Sequence, residues 1–122
     1  MREILFRGKG INDKEWRYGF YTEQQGYPYI TPDGVAMYEI DANTAGQYTG
    51  FVDKNGKKIF EGDIVCMDDW IPPCMQVAYA QGAFYLAEIE KPVKYYGDIY
   101  YLNHGGKPCA KVIGNLYDDL SY

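Results

Sequence analysis

Residues 46–65 read GQYTGFVDKNGKKIFEGDIV, and the remainder of the chain is best placed relative to this stretch. Gln47 to Val52 reads as a strand, with Tyr48 facing inward or outward by alternation. Asp53-Lys54-Asn55-Gly56 supplies the Asn-Gly pair that favours positive φ in a tight hairpin. Lys57 to Phe60 returns, Glu61-Gly62-Asp63 turns a corner, and Ile64-Val65-Cys66-Met67 opens the next strand. Lys54, Lys57 and Lys58 gather at the turn tip.

On the N-terminal side, Ile4-Leu5-Phe6 predicts a first strand. Glu15 to Thr22 predicts a second, with Trp16, Tyr18 and Phe20 on one face, paired with the first as a hairpin. Tyr27 to Ile30 reads as a short edge strand because Pro28 lacks an amide proton. Thr31-Pro32-Asp33-Gly34 is a turn leading to a strand over Val35 to Ile40. Asp41 to Gly46 is a loop with room for one helical turn. On the C-terminal side, Met75 to Tyr79 and Ala83 to Ala87 form a hairpin pattern. Glu88 to Lys94 is ambiguous, Ile99 to Leu102 reads as a strand, Asn103 to Pro108 as a loop, and Lys111 to Tyr117 as a closing strand. No apolar stripe of helical period is long enough to predict a helix.

Composition agrees. The 14 Tyr, 14 Gly and 6 Pro of the 122 residues favour many short, half-buried strands separated by turns. A chain of this length buries roughly two-thirds of the surface its unfolded form exposes, so a core needs no metal or crosslink. The net charge of −5 disfavours generic duplex DNA binding, which depends on phosphate neutralisation. Residues 1–20 are nonetheless locally basic. The N-terminus is too polar for a signal peptide, and no apolar run reaches the length of a membrane span. Three cysteines at irregular spacing point to reduced thiols in a cytoplasm.

Three chemistries are conceivable from residue type and spacing. Cys66, Cys74, Cys109 and His104, with Asp68 and Asp69 nearby, lack the closely paired ligands of a zinc site; no metal and no cofactor are expected. His104 and Cys109 could form a nucleophile–base pair, but no third orienting group can be picked out. Glu61 and Asp63 resemble the carboxylate pair of a glycosidase, yet two acids around a Gly are equally a solvated corner. A small hydrolase is therefore the least favoured reading. Binding is favoured instead. Trp16, Tyr18 and Tyr48, with Lys54, Lys57 and Lys58, are the candidate binding residues, and Tyr21, Tyr95, Tyr96, Tyr100 and Tyr101 add to the aromatic supply. Such aromatics anchor protein partners or stack unpaired bases.

Taken together, residues 46–65, Ile4-Leu5-Phe6-Arg7-Gly8-Lys9, Trp16-Arg17-Tyr18-Gly19 and Val112-Ile113-Gly114-Asn115-Leu116-Tyr117 resemble, in order, the YopX family of phage and prophage proteins. Asp68 to Lys111 follows no motif of that pattern. The ending Asp-Asp-Leu-Ser-Tyr replaces the commoner one with Asn and Pro. The resemblance implies a small all-β protein whose C-terminal half is an SH3-like barrel, opened by Glu61-Gly62-Asp63 and closed by Val112 to Tyr117. It also implies a phage or prophage gene expressed in a bacterial cytoplasm, and no particular chemistry. The expected architecture is an N-terminal β-hairpin or meander region over residues 1–60 plus a small SH3-like β-barrel over 61–122, or one compact unit. The expected function is a non-enzymatic protein-interaction module, a homo-oligomer or a binder of a host or phage protein. The alternative is a single-stranded nucleic-acid binder using exposed aromatics and the lysine-bearing hairpin.

Overall fold

A computed structural model describes residues 4–90 and 95–118 of the chain. The protein is all-β, with no α-helix among the described residues. It divides into two compact units, Met1–Tyr48 and Thr49–Tyr122.

The first unit contains β1 (Phe6–Lys9), β2 (Trp16–Gln24), β3 (Tyr27–Thr31), β4 (Tyr38–Glu39) and the start of β5 (Gly46–Val52). Its strands lie in the order β4-β3-β2-β1-β5, with β1 and β2 paired as the expected antiparallel hairpin. Ile30 and Ile40 are fully buried. The strand expected over Val35 to Ile40 is reduced to Tyr38–Glu39. The Asp33 carboxylate accepts the amides of Val35 and Ala36, which holds those residues in a turn and removes them from the ladder. Ala42–Thr44 forms a 3₁₀ turn, capped by the Asp41 side chain accepting from the Asn43 amide.

The second unit begins with the rest of β5 and continues through β6 (Lys58–Phe60), β7 (Asp63–Cys66), β8 (Cys74–Ala80), β9 (Ala83–Ala87), β10 (Tyr95–Asp98), β11 (Asn103–His104), β12 (Lys107–Pro108) and β13 (Lys111–Asn115). Five strands form one antiparallel sheet in the order β10-β9-β8-β7-β13, and its two end strands do not pair with each other. The sheet is therefore open among the described residues, where a closed barrel was expected. Its core joins Ile59, Val65, Val77, Leu86, Leu102 and Val112 with their buried neighbours.

Ile99 to Leu102, read as a strand from its apolar residues, is instead a 3₁₀ turn. Ile99 and Leu102 are buried while Tyr100 and Tyr101 between them are exposed, a spacing of three that matches a 3₁₀ turn and not the alternation of a strand. Asn103 to Pro108, expected as a loop, carries the short β11–β12 ladder. The ambiguous stretch from Glu88 includes residues 91–94, which lie outside the described residues.

The hairpin at Asp53 also differs in type from the one expected. The Gly56 amide donates to the Asp53 carbonyl at 2.9 Å, and Gly56 alone of the turn residues has positive φ, at 83°. That is a four-residue turn ending in a left-handed glycine, not a turn with positive φ at both Asn55 and Gly56. At the Glu61-Gly62-Asp63 corner, Gly62 has φ of 91° and lies against the Tyr117 ring, so a side chain there is excluded twice over.

Cys66 and Cys74 are joined by a disulfide, correcting the expectation of reduced thiols throughout. They are register partners in β7 and β8. The next pair outward is hydrogen-bonded, the Met67 amide donating to the Pro73 carbonyl at 2.9 Å. By alternation Cys66 and Cys74 form the narrow non-hydrogen-bonded pair, and their Cα atoms lie 4.1 Å apart. The irregular spacing of the cysteines concealed this because strand register, not separation, sets the pairing. Replacing both Cys66 and Cys74 with Ser is expected to lower the unfolding free energy by about 2–3 kcal/mol, the loop-closure entropy of so short a ring. Urea denaturation of the oxidised protein and the double variant measures it, and equal midpoints would refute it.

Candidate functional site

In the first unit, the candidate surface grows from the alternation of β2. Tyr18 and Phe20 are 46% and 59% exposed, while Gly19 between them is buried. Across the ladder Phe20 faces Thr31, Thr22 faces Tyr29 and Gln24 faces Tyr27, so these side chains share one side of the β2–β3 pair. Tyr27 is exposed as well, at 57%. Water therefore meets a sheet face bearing exposed Tyr18, Phe20 and Tyr27, with half-buried Tyr29, Thr22 and Thr31 and exposed Gln24 among them. Trp16 is different: it is half-buried, with the Arg7 guanidinium 4.6 Å and the Lys9 ammonium 5.7 Å from its ring centre. Those cations engage the Trp16 π-system. Tyr48 is only 7% exposed, so it serves the interior and not a binding surface.

The second unit holds the lysines. Lys54, Lys57 and Lys58 are all exposed on the hairpin tip. The tip is pinned beneath them. One carboxylate oxygen of the buried Asp53 accepts the amides of Asn55 and Lys57, and the other accepts the amide of Val112 in β13. Burial pushes the Asp53 carboxyl up, but the amides of Val112, Lys57 and Asn55, with the Lys57 charge, outweigh it and hold the group below its ordinary value. The Lys54 amide donates to the Ala110 carbonyl at 2.9 Å, a second tie to the segment entering β13. Near the base of the hairpin, the Phe51 ring meets that of exposed Tyr100 edge-on, centroids 5.6 Å apart.

The catalytic candidates resolve into structural roles. Asp63 is 1% exposed, and its carboxylate accepts the Phe60 amide at 2.8 Å, closing the corner that Glu61 and Gly62 complete. An acid committed to that backbone is not a glycosidase carboxylate. His104 is exposed in β11. The Cys109 thiol donates to the Leu102 carbonyl at 3.1 Å, and burial, then the Asp69 charge, pushes its pKa up. A nucleophilic cysteine needs the opposite shift. Cys66 and Cys74 are spent in the disulfide, and among the described residues no cluster of three His, Cys, Asp or Glu side chains could hold a metal ion.

Sequence reasoning passed over Phe20 and Tyr27 as surface residues, and Asp69 and Trp70 as neighbours of Tyr96 and Tyr101 around a cavity. Strand alternation located Phe20. Its exposure depends on which face of β2 is covered, and that is a tertiary property.

No helix among the described residues is long and apolar enough to cross a membrane. The family model described as YopX protein matches residues 5–120, nearly the whole chain. Comparison with curated proteins returns no match. The raised thiol yields a test of the catalytic reading: Cys109 should alkylate with iodoacetamide at pH 8 several-fold more slowly than a free cysteine. Asp69→Asn should partly restore the rate. Alkylation faster than the free amino acid would reinstate Cys109 as a nucleophile.

Proposed function

Because this chain belongs to the YopX family, we propose a phage or prophage accessory protein that acts as a non-enzymatic protein-interaction module and self-associates through the β2–β3 face of its first unit. One observation carries this reading: Tyr18, Phe20 and Tyr27 project together from one sheet face into solvent. Rigid aromatic side chains lose little entropy on docking and dominate the energetics of interfaces. The Asp63 carboxylate and the Cys109 thiol, which a hydrolase would need, are engaged by backbone groups, and this supports binding over hydrolysis.

For the fold of the second unit, the SH3-like barrel stays a proposal. Its support is a five-stranded antiparallel sheet in which β7, β8 and β9 run consecutively over one core. For the setting we propose the bacterial cytoplasm that the family resemblance implies. The Cys66–Cys74 bridge weighs against it, since cytosolic thiols are ordinarily kept reduced.

A second reading, single-stranded nucleic-acid binding, is favoured by one observation: three exposed lysines stand on a pinned tip, with exposed Tyr100 edge-on to Phe51 at the hairpin's base. The net charge of −5 opposes it. It requires a gel shift at low salt that weakens steeply as salt rises.

Sedimentation equilibrium tests the first reading. The wild-type chain is expected to form a stable dimer or higher oligomer. The Phe20→Ser, Tyr27→Ser double variant should dissociate at least about 30-fold more readily, the effect of losing an aromatic hot spot. A wild-type monomer at high concentration, or a variant that associates equally well, would overturn the β2–β3 assignment.

A further inference from the structure

We propose that the second unit carries a binding site for a small organic cation with an alkylated ammonium head, formed by Trp70, Tyr96, Tyr101 and Asp69. These residues surround a cavity of about 310 Å³ whose apolar wall includes buried Met75 and Leu86. The volume is of the size that accommodates small ligands.

The wall chemistry selects the ligand class. Three aromatic residues, whose rings carry electron-rich faces, line the cavity together with the carboxylate of Asp69, and no lysine or arginine among the described residues lines it. A cation is attracted by both features and an anion by neither. Among cations, a bare ammonium is compact and strongly hydrated, so it gives up much solvation on entering an apolar cavity. Alkyl groups on nitrogen weaken that hydration and spread the charge over a surface that packs against rings. The site therefore fits a quaternary or multiply methylated ammonium.

Independent features hold the walls in position. A Cβ at Gly97 would lie 2.7 Å from Cδ2 and 2.9 Å from Cε2 of Tyr101, so the Tyr101 ring rests on the bare Gly97 backbone. Gly97 does not have positive φ, so space and not backbone conformation is what a side chain there would violate. Asp69 and Trp70 lie in the loop closed by the Cys66–Cys74 bridge, where the Trp70 amide donates to the Met67 carbonyl at 3.3 Å.

The test titrates the 122-residue chain with choline and with its neutral isostere 3,3-dimethylbutan-1-ol, following the indole N–H resonances of its two tryptophans. The Trp70 resonance is expected to move with choline while Trp16, in the other unit, stays fixed as an internal reference. The neutral isostere should bind about tenfold more weakly, and Asp69→Asn should weaken choline several-fold while leaving the isostere unchanged. Tyr101→Ala removes one wall at an exposed position, and Gly97→Ala provides a second variant that displaces the same ring without deleting it; both should weaken choline. A trimethyllysine amide run in parallel separates a free small cation from a methylated side chain as the natural source, and preference for choline supports the small molecule. Equal affinity for choline and its isostere, or a Trp70 resonance unmoved at choline on the order of 0.1 M, would overturn the proposal.

Discussion

The second unit depends on one buried carboxylate. Asp53 accepts hydrogen bonds from Asn55, Lys57 and Val112, reaching from the hairpin turn to the closing strand β13. The first two contacts are local and fold the turn. The third spans 59 residues of sequence. A carboxylate with this many backbone donors is stabilised in its charged form despite burial, which is why an acid and not an amide occupies the position. Ile59 and Val112 then enter the same core, so turn, returning strand and closing strand are assembled around a single side chain. The exposed lysine side chains ride on this arrangement: Lys57 donates to Asp53 through its backbone amide, and its side chain adds only its charge.

Much of this was legible in the residues, and the failures have physical causes. Turn residues mark the Asp53–Gly56 hairpin and the Glu61-Gly62-Asp63 corner because those residue types satisfy local backbone demands. The strands β5 to β9 follow from period-two patterning. The role of Asp53 across to Val112 was not legible, since no local pattern records which distant amide a carboxylate will meet. The Tyr-Tyr pair at 100–101 was misread as strand because apolar content alone does not separate a period of two from one of three in four residues. Cys66 and Cys74 looked unpaired because their separation matches no ligand motif, whereas strand register places them opposite each other.

The candidate surfaces show the same division. Tyr18 was correctly placed on a strand face, and the structure exposes it; Tyr48, from the same type of pattern, is buried. Alternation assigns two faces to a strand but does not say which one meets the core. Trp16 sits between these outcomes, with its ring engaged by Arg7 and Lys9. In the second unit, Tyr101 reaches the cavity wall because Ile99 and Leu102 bury themselves on one side of a 3₁₀ turn and Gly97 leaves room for the ring. The cavity is thus a consequence of core packing that turns the intervening tyrosines outward.

If the stretch 46–65 is primarily architectural, its central acid must matter more than its lysines. The direct measurement is equilibrium unfolding of wild type and Asp53→Asn from pH 3 to pH 7. Asn places an N–H₂ where a carboxylate oxygen accepts an amide, so the variant should be about 2–3 kcal/mol less stable at pH 7. Because the folded-state pKa of Asp53 is lowered, its contribution is complete above the unfolded carboxylate value of about 3.9 and is lost as pH falls through the folded value. The gap between the two proteins should therefore narrow at the acid end of the range. Equal stabilities at pH 7, or a gap that does not change with pH, would contradict the account.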